Sequence, residues 1–211
     1  MSTEPPTPAS SKEVAPPLSG YALWLIPSKP ATPEYQSLIS HLASLERASP
    51  TFVPHITLLH PISTSIPVDE IKATLRSAIE KAKSSSSTTA QSPSSNPSPD
   101  SKSLFHGPLR LKPAQSGSKY YQSVLAPVHP TPPLLALRKQ VQEAFGLNEL
   151  PDYFPHLSLL YGELTQERRD ELAKVANDRG FKDEVEVEDV VIVDSEGVPE
   201  GWKMVGRESL V

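Results

Sequence analysis

The stretch FVPHITLLH at residues 52–60 occurs a second time, as YFPHLSLLY at residues 153–161. Each copy places a histidine after a proline and a hydroxyl residue two positions later, inside a short aliphatic run typical of a β-strand. Because side chains alternate along a strand, His55 and Thr57 face the same side, about 6–7 Å apart. The aliphatic residues between them face a core. The chain therefore carries the same polar dyad on two predicted strands.

The second dyad consists of His156 and Ser158. Strand alternation assigns His60 and Tyr161, the last residues of the two copies, to the core-facing side, away from the dyads. Tyr161 can reach a substrate only if its strand bulges or ends one residue earlier, and we keep it as a candidate substrate-binding residue on that condition. Trp24 lies between two leucines of an earlier strand and is predicted to be a core residue.

The order of elements around the two copies also repeats. Pro27 and Pro127 close comparable predicted strands 100 residues apart, and Thr-Pro helix starts lie 99 residues apart, at 32–33 and 131–132. Each half consists of a strand, a Thr-Pro helix, a histidine strand and a second helix, which indicates an internal duplication. Two lobes related by a pseudo-twofold axis would bring the two histidine strands to a shared cleft.

Two segments are not expected to fold. Residues 1–18 contain five prolines, and residues 84–103 contain ten serines. Neither segment has enough large apolar side chains to offset the entropy lost on ordering. We therefore predict a disordered proline-rich tail at 1–18 and a single bilobal domain at 19–211, interrupted by a disordered serine-rich insertion at 84–103.

The remaining pattern predicts further elements. Residues 105–111 and 120–125 resemble two strands, and residues 185–193 and 202–205 a closing pair of strands. The hydroxyl of Thr32 is expected to cap the N-terminus of the first helix.

Composition limits the class of protein. The net charge of −5 argues against sequence-independent binding to long nucleic acid, which requires an excess of Lys and Arg. The chain has no cysteine, which excludes disulfides and thiolate metal ligands. No apolar run approaches a membrane span, and the N-terminus lacks the apolar core of a signal peptide. We expect a soluble cytoplasmic or other intracellular monomer that acts on a small molecule, with no membrane partner.

Two facing dyads satisfy the requirements of phosphodiester hydrolysis. One imidazole can take a proton from water while the other protonates the departing oxygen, because the unperturbed pKa of histidine is about 6.5. Thr57 and Ser158 can donate hydrogen bonds to the non-bridging phosphate oxygens. Neither a metal nor another cofactor is needed. A zinc site through His55 and His156 is the weaker alternative, because it lacks a clear third ligand.

At these motifs the chain resembles the two-histidine phosphoesterase superfamily, and within it the fungal and plant cyclic nucleotide phosphodiesterases. The run PHLSLLY at 155–161, continued by GELT at 162–165, is similar to their second motif in nearly every position. The run YYQSV at 120–124 resembles an aromatic stretch upstream of it, and HITL at 55–58 fits their first motif.

This resemblance, which covers residues 19–83 and 104–211, implies an α+β fold of two pseudo-twofold-related lobes. Each lobe is then an antiparallel sheet with helices on its outer face, and the cleft lies between them. The resemblance also implies metal-independent hydrolysis of nucleoside 2′,3′-cyclic phosphates to nucleoside 2′-phosphates. Members of the family also open ADP-ribose 1″,2″-cyclic phosphate, a by-product of tRNA splicing, to ADP-ribose 1″-phosphate.

Carried over residue by residue, the resemblance makes His55 and His156 the acid–base pair and Thr57 and Ser158 the phosphate ligands, with Tyr161 near the substrate. The near-equivalence of the two copies leaves the assignment of base and acid open, with a preference for His156 as the base. One alternative is an RNA 2′,5′-ligase or cyclic-end phosphodiesterase acting on oligonucleotides, which the acidic balance disfavours. Another is a catalytically silent nucleotide-binding protein, which the two intact dyads disfavour.

Overall fold

The computed structural model describes residues 15–46, 48–87, 103–105 and 107–211. The strands are β1 (Tyr21–Pro27), β2 (Ile56–Ile62), β3 (Leu109–Arg110), β4 (Gln115–Ser116), β5 (Val124–Pro127), β6 (His156–Leu160), β7 (Glu184–Val185), β8 (Val187–Asp194) and β9 (Lys203–Ser209). The α-helices are α1 (Thr32–Ser44), α2 (Val68–Ser87), α3 (Pro132–Ala144) and α4 (Gln166–Arg179).

Seven strands form one antiparallel sheet in the order β4-β5-β6-β2-β1-β8-β9, and β3 pairs separately with β7. The two histidine strands, β2 and β6, are neighbours at the centre of this sheet and pair at Ile56 and Leu157. Outside them, β5 flanks β6 as β1 flanks β2. The predicted α+β class with pseudo-twofold-related antiparallel lobes is therefore confirmed, and the sheets of the two lobes join through the histidine strands.

The helices cover one face of the sheet, and the opposite face carries the dyads. The core beneath the helices contains buried strand residues from both halves: Leu23, Leu25, Ile56, Leu58, Leu157 and Leu159. The Thr-Pro helices cross between the halves, because α1 packs on β6 and α3 packs on β2. None of the helices in the described ranges combines the length and the apolar content needed to cross a bilayer.

Each histidine strand contains a β-bulge at the equivalent place. The pairs on its two sides are Trp24–Thr57 and Leu23–Leu59 in the first half, and Leu125–Ser158 and Val124–Leu160 in the second. In each half the histidine strand advances by two residues while its partner advances by one. An extra residue of this kind reverses the alternation of the side chains beyond it. His60 and Tyr161 consequently lie on the same face as the dyads.

The two Thr-Pro sequences begin their helices differently. In the second half the hydroxyl oxygen of Thr131 caps α3 by accepting a hydrogen bond from the backbone N–H of Leu134 at 3.4 Å. In the first half the predicted cap is wrong. Thr32 is already helical, and its hydroxyl lies 2.9 Å and 3.0 Å from the carbonyl oxygens of Pro27 and Ser28, to which it can only donate.

The two strands predicted at 105–111 and 120–125 are largely wrong. The first is reduced to the two residues of β3, and the second is a 3₁₀ turn at Tyr120–Gln122 followed by β5. This turn and Ser123 after it are tied to the end of the second motif. The Ser123 hydroxyl donates to the carbonyl oxygen of Gly162, whose N–H donates to the carbonyl oxygen of Tyr120 at 3.0 Å.

The structure describes part of each segment that was predicted to be disordered, and residues from both belong to the fold. Ala15 is buried in an aromatic cluster, and Leu18 pairs with Gly197, so residues 15–18 belong to the fold rather than to the predicted tail. Residues 84–87 continue α2. Residues 1–14 of the predicted tail and residues 88–102 of the predicted insertion lie outside the described residues.

Candidate active site

The same backbone contact holds both motif histidines. Nδ1 of His55 lies 2.6 Å from the carbonyl oxygen of Val53, and Nδ1 of His156 lies 2.8 Å from the carbonyl oxygen of Phe154. Because a carbonyl oxygen can only accept, Nδ1 carries the proton and donates in both rings. In the neutral rings Nε2 is therefore the nitrogen with a lone pair, and it is the atom available for proton exchange in the cleft.

One cavity collects all the candidate residues. It has a volume of about 370 Å³ and lies on the face of the sheet opposite the helices; we call it the cleft cavity. Its lining includes His55, Thr57, His156, Ser158 and Tyr161. Its volume falls within the range of small-molecule sites, which begins at about 300 Å³. The structure thus brings together two motifs that lie about one hundred residues apart in the sequence.

The cleft cavity is suited to an anion. No aspartate or glutamate is among the described residues that line it, and a lysine, Lys119, is part of the lining. The chain as a whole has a net charge of −5, so this distribution is local. Across the described ranges, no group of three or more His, Cys, Asp or Glu side chains is arranged to hold a metal ion.

His55 is enclosed. Its side chain is only 2% exposed, and its ring stacks on the indole of Trp24 with centroids 3.6 Å apart and planes at 10°. Burial lowers the pKa of His55 to about 4; the hydrogen bond to Val53 opposes this shift, and the nearby positive charge of protonated His156 adds to it. The imidazole of His55 is therefore neutral near neutral pH.

His156 is at the rim of the cleft cavity. It is only partly buried, and its ring lies 5.4 Å from that of Phe154, which is itself 50% exposed. Burial also lowers the pKa of His156, and its hydrogen bond to the Phe154 carbonyl opposes that shift. The two copies of the motif therefore place equivalent histidines in different surroundings.

Tyr161 contacts the opposite motif. Its hydroxyl oxygen is 3.3 Å from Nε2 of His55, and its ring stacks on Phe52 with centroids 3.8 Å apart. Burial raises the pKa of Tyr161, so the hydroxyl keeps its proton and can donate to the imidazole. Alternation places Tyr161 on the core side, and the bulge in β6 is the reason that it faces the cleft instead.

His60 also lines the cleft cavity, so its predicted core-facing position is wrong. The bulge in β2 turns it toward the cleft, as the equivalent bulge turns Tyr161. The outcome differs, however, because Nε2 of His60 lies 3.1 Å from the carbonyl oxygen of Ser19 rather than next to a motif histidine.

Trp24 is buried as predicted, but it lies on the cleft face and not in the core beneath the helices. The sequence contained the signal: Leu23 and Leu25 face the core, so the residue between them must face the other way. Tyr121 and Trp202 also line the cleft cavity. Trp202 carried no comparable signal, because only the sheet order brings the start of β9 next to this site.

Comparison with known proteins gives matches over most of the chain. The model of a family described as cyclic phosphodiesterase-like protein matches residues 19–211. A cyclic phosphodiesterase from Arabidopsis thaliana is 27% identical over 149 residues, which make up 71% of this chain and 68% of that protein.

Solved structures of LigT from E. coli are also similar. The apo form is 11% identical, with a TM-score of 0.42, and covers 93% of this chain and 99% of its own. The phosphate complex is 13% identical, with a TM-score of 0.41 and the same coverage.

Proposed function

Because the chain belongs to the cyclic phosphodiesterase-like family and is therefore a phosphodiesterase of the hydrolase class, we propose that it hydrolyses nucleoside 2′,3′-cyclic phosphates to nucleoside 2′-phosphates. ADP-ribose 1″,2″-cyclic phosphate, opened to ADP-ribose 1″-phosphate, is a second substrate of the same chemistry. One observation carries the proposal: two imidazoles, each with Nδ1 fixed by a backbone carbonyl, line one cavity together with the hydroxyl residues of their own strands.

The reaction follows from this arrangement. The cyclic phosphate binds with its phosphorus between the two imidazoles. Nε2 of one ring takes a proton from a water molecule as the water oxygen forms the new bond to phosphorus. The bond from phosphorus to O3′ breaks, and the other ring, protonated, gives its proton to O3′. The product is the 2′-phosphate, and the two histidines have exchanged protonation states.

The unequal surroundings of the two rings favour His156 as the base and His55 as the acid. Water reaches His156 at the open rim, whereas Trp24 and Tyr161 enclose His55. A bound phosphate anion raises the pKa of a nearby imidazole, so His55 acquires its proton together with the substrate. Because the intrinsic pKa of that ring is low, its imidazolium is a strong proton donor.

The hydroxyls of Thr57 and Ser158 stabilise the charge that grows on the non-bridging oxygens. In the structure Ser158 donates a long bond of 3.4 Å to the carbonyl oxygen of Tyr121. A phosphate oxygen is a stronger acceptor, because it is charged. Ser158 can therefore transfer its hydrogen bond to the substrate at little cost.

The size and charge of the cleft cavity favour a mononucleotide over an oligonucleotide. A site for an RNA backbone requires a track of basic side chains. Among the described residues that line the cavity, Lys119 is the single lysine or arginine. A single cation fits a small anionic substrate. The alternative of an RNA 2′,5′-ligase or cyclic-end phosphodiesterase lacks the basic track that an oligonucleotide would require.

The test is the turnover of 2′,3′-cyclic AMP by the wild type, His55→Ala and His156→Ala, with the product identified by ³¹P NMR. Each substitution should lower kcat by about 10²–10⁴-fold, because neither ring can act as both base and acid in one step. Activity should persist in EDTA. His129→Ala, which changes an exposed histidine outside the cavity lining, is the matched control. Near-wild-type activity of either motif variant, or loss of activity in EDTA, would refute the proposal.

A further inference from the structure

The indole of Trp24 stacks on the ring of His55. The two ring centroids are 3.6 Å apart and the planes differ by 10°, so the imidazole lies flat on the indole. Both side chains are buried, at 5% exposure for Trp24 and 2% for His55. This contact fixes the plane in which the Nε2 atom of His55 can point.

The indole is itself held in place by the sheet. Trp24 pairs with Thr57 of β2 on one side and with Val191 of β8 on the other. The edge of Trp202 packs against it, with ring centroids 5.7 Å apart and planes at 65°. Trp24 is therefore a rigid support for the imidazole, and not a side chain that turns with it.

Within the described ranges, the groups that bond to or pack on the His55 ring carry no negative charge. They include the Val53 carbonyl, the Tyr161 hydroxyl, the Trp24 indole and the ring of Phe52 at 5.9 Å. In many acid–base sites a carboxylate stabilises the imidazolium when it forms, and no carboxylate is found among the described lining of this cavity. The face of an indole is the strongest aromatic partner for a cation.

The second half of the molecule lacks this support. The residue of β5 that faces Ser158, as Trp24 faces Thr57, is Leu125. His156 has the half-exposed ring of Phe154 at 5.4 Å and an interplanar angle of 28° instead. Solvent at the rim can stabilise a positive charge on His156, whereas His55 has no comparable access to water.

We propose that Trp24 is a positioning residue for His55, whose indole face fixes the plane of the imidazole and stabilises its protonated form while the phosphate is bound. The kinetic consequence rests on the function proposed above. The effect on the protonation of His55 does not, and it can be measured without turnover.

The kinetic test is a series at position 24. Trp24→Leu removes the aromatic face and keeps an apolar side chain, and we expect it to lower kcat for 2′,3′-cyclic AMP about tenfold with KM within about twofold of the wild type. Trp24→Tyr and Trp24→Phe keep an aromatic face and should recover part of the loss. Tyr should recover no less than Phe. If Trp24→Leu fails to fold, the ranking of kcat can still be measured with the wild type and the two aromatic variants.

The second test is an NMR titration of the labelled histidines in the presence of inorganic phosphate. In Trp24→Leu the pKa of His55 should fall by up to about one unit, and that of His156 should stay at its wild-type value. Phe154→Leu is the matched control, since it removes the aromatic ring beside His156 rather than the one beside His55. It should leave the titration of His55 unchanged.

The outcomes separate this inference from the proposed function. It is overturned if the pKa of His55 in Trp24→Leu equals that of the wild type, or if Trp24→Phe and Trp24→Leu are equally impaired. If the wild type does not hydrolyse cyclic phosphates but the titration of His55 depends on Trp24, the proposed function fails and the role of Trp24 stands.

Discussion

The two halves of the molecule carry the same dyad in different surroundings. In the first half, β1 is followed in the sheet by the long strands β8 and β9, and the histidine is buried against Trp24. In the second half, β5 is followed only by the two-residue strand β4, and His156 stays at the rim. The duplicated motif therefore supplies two similar groups, and the unequal sheet around it makes one enclosed and the other accessible.

This difference has a chemical consequence. The mechanism proposed above requires two groups with opposite tasks, and two histidines in identical surroundings would have the same pKa. Unequal burial separates their pKa values without any change in the motif. The predictions below compare matching residues of the two halves: the dyad hydroxyls, the residues after the bulges and the two histidines.

Removing the hydroxyl of either dyad should lower kcat by a similar factor. Thr57→Val and Ser158→Ala each remove one of the hydroxyls proposed to donate to the phosphate oxygens, and each should lower kcat by about 10²–10³-fold. Steady-state kinetics with a 2′,3′-cyclic nucleotide measure both losses. Thr57→Ser, which keeps the hydroxyl, is the control. A loss confined to one of the two variants would show that only one half contacts the phosphate.

Tyr161 and His60 hold equivalent bulge positions and should differ. Tyr161→Phe removes the hydroxyl next to Nε2 of His55 and keeps the ring on Phe52, so kcat should fall about three- to tenfold, the value of one hydrogen bond. His60→Gln should have a smaller effect on kcat, because His60 bonds to the Ser19 carbonyl and not to a motif histidine. Parallel assays of the two variants decide the matter, and an equal or larger loss in His60→Gln would contradict this distinction.

Stability below neutral pH should depend on His55 more than on His156. The pKa of His55 is about 4 in the fold and about 6.5 in the unfolded chain, so the unfolded state binds more protons between these values. The free energy of unfolding should therefore fall as the pH drops from about 6.5 toward 4, by an amount on the order of 1–2 kcal/mol.

Urea unfolding at pH 7 and pH 5 measures this dependence. His55→Gln should flatten it, and His156→Gln should flatten it less, because the ring at the rim is less buried. A pH dependence in His55→Gln equal to that of the wild type would show that the ring does not titrate at low pH in the fold.

Local patterns predicted the elements whose cause is local. The strands β1, β2 and β6 and the helices α2, α3 and α4 follow from aliphatic runs, prolines and caps within a few residues of each element. The prediction failed at 120–122, where Ser123 and Tyr120 bond to the distant Gly162. It also failed at Thr32, where the helix begins one residue earlier than expected and the hydroxyl donates to the nearby carbonyls of Pro27 and Ser28.

By itself, the sequence determined the two dyads and the repeated order of elements, because hydrophobic periodicity and residue spacing are properties of the chain alone. Tertiary structure decided which further residues meet the dyads. Strand alternation placed His60 and Tyr161 on the wrong face, since a bulge depends on the pairing of two strands and is invisible in either one. The enclosure of His55 by Trp24 and the position of Trp202 likewise result from the order of strands in the sheet, which long-range pairing sets.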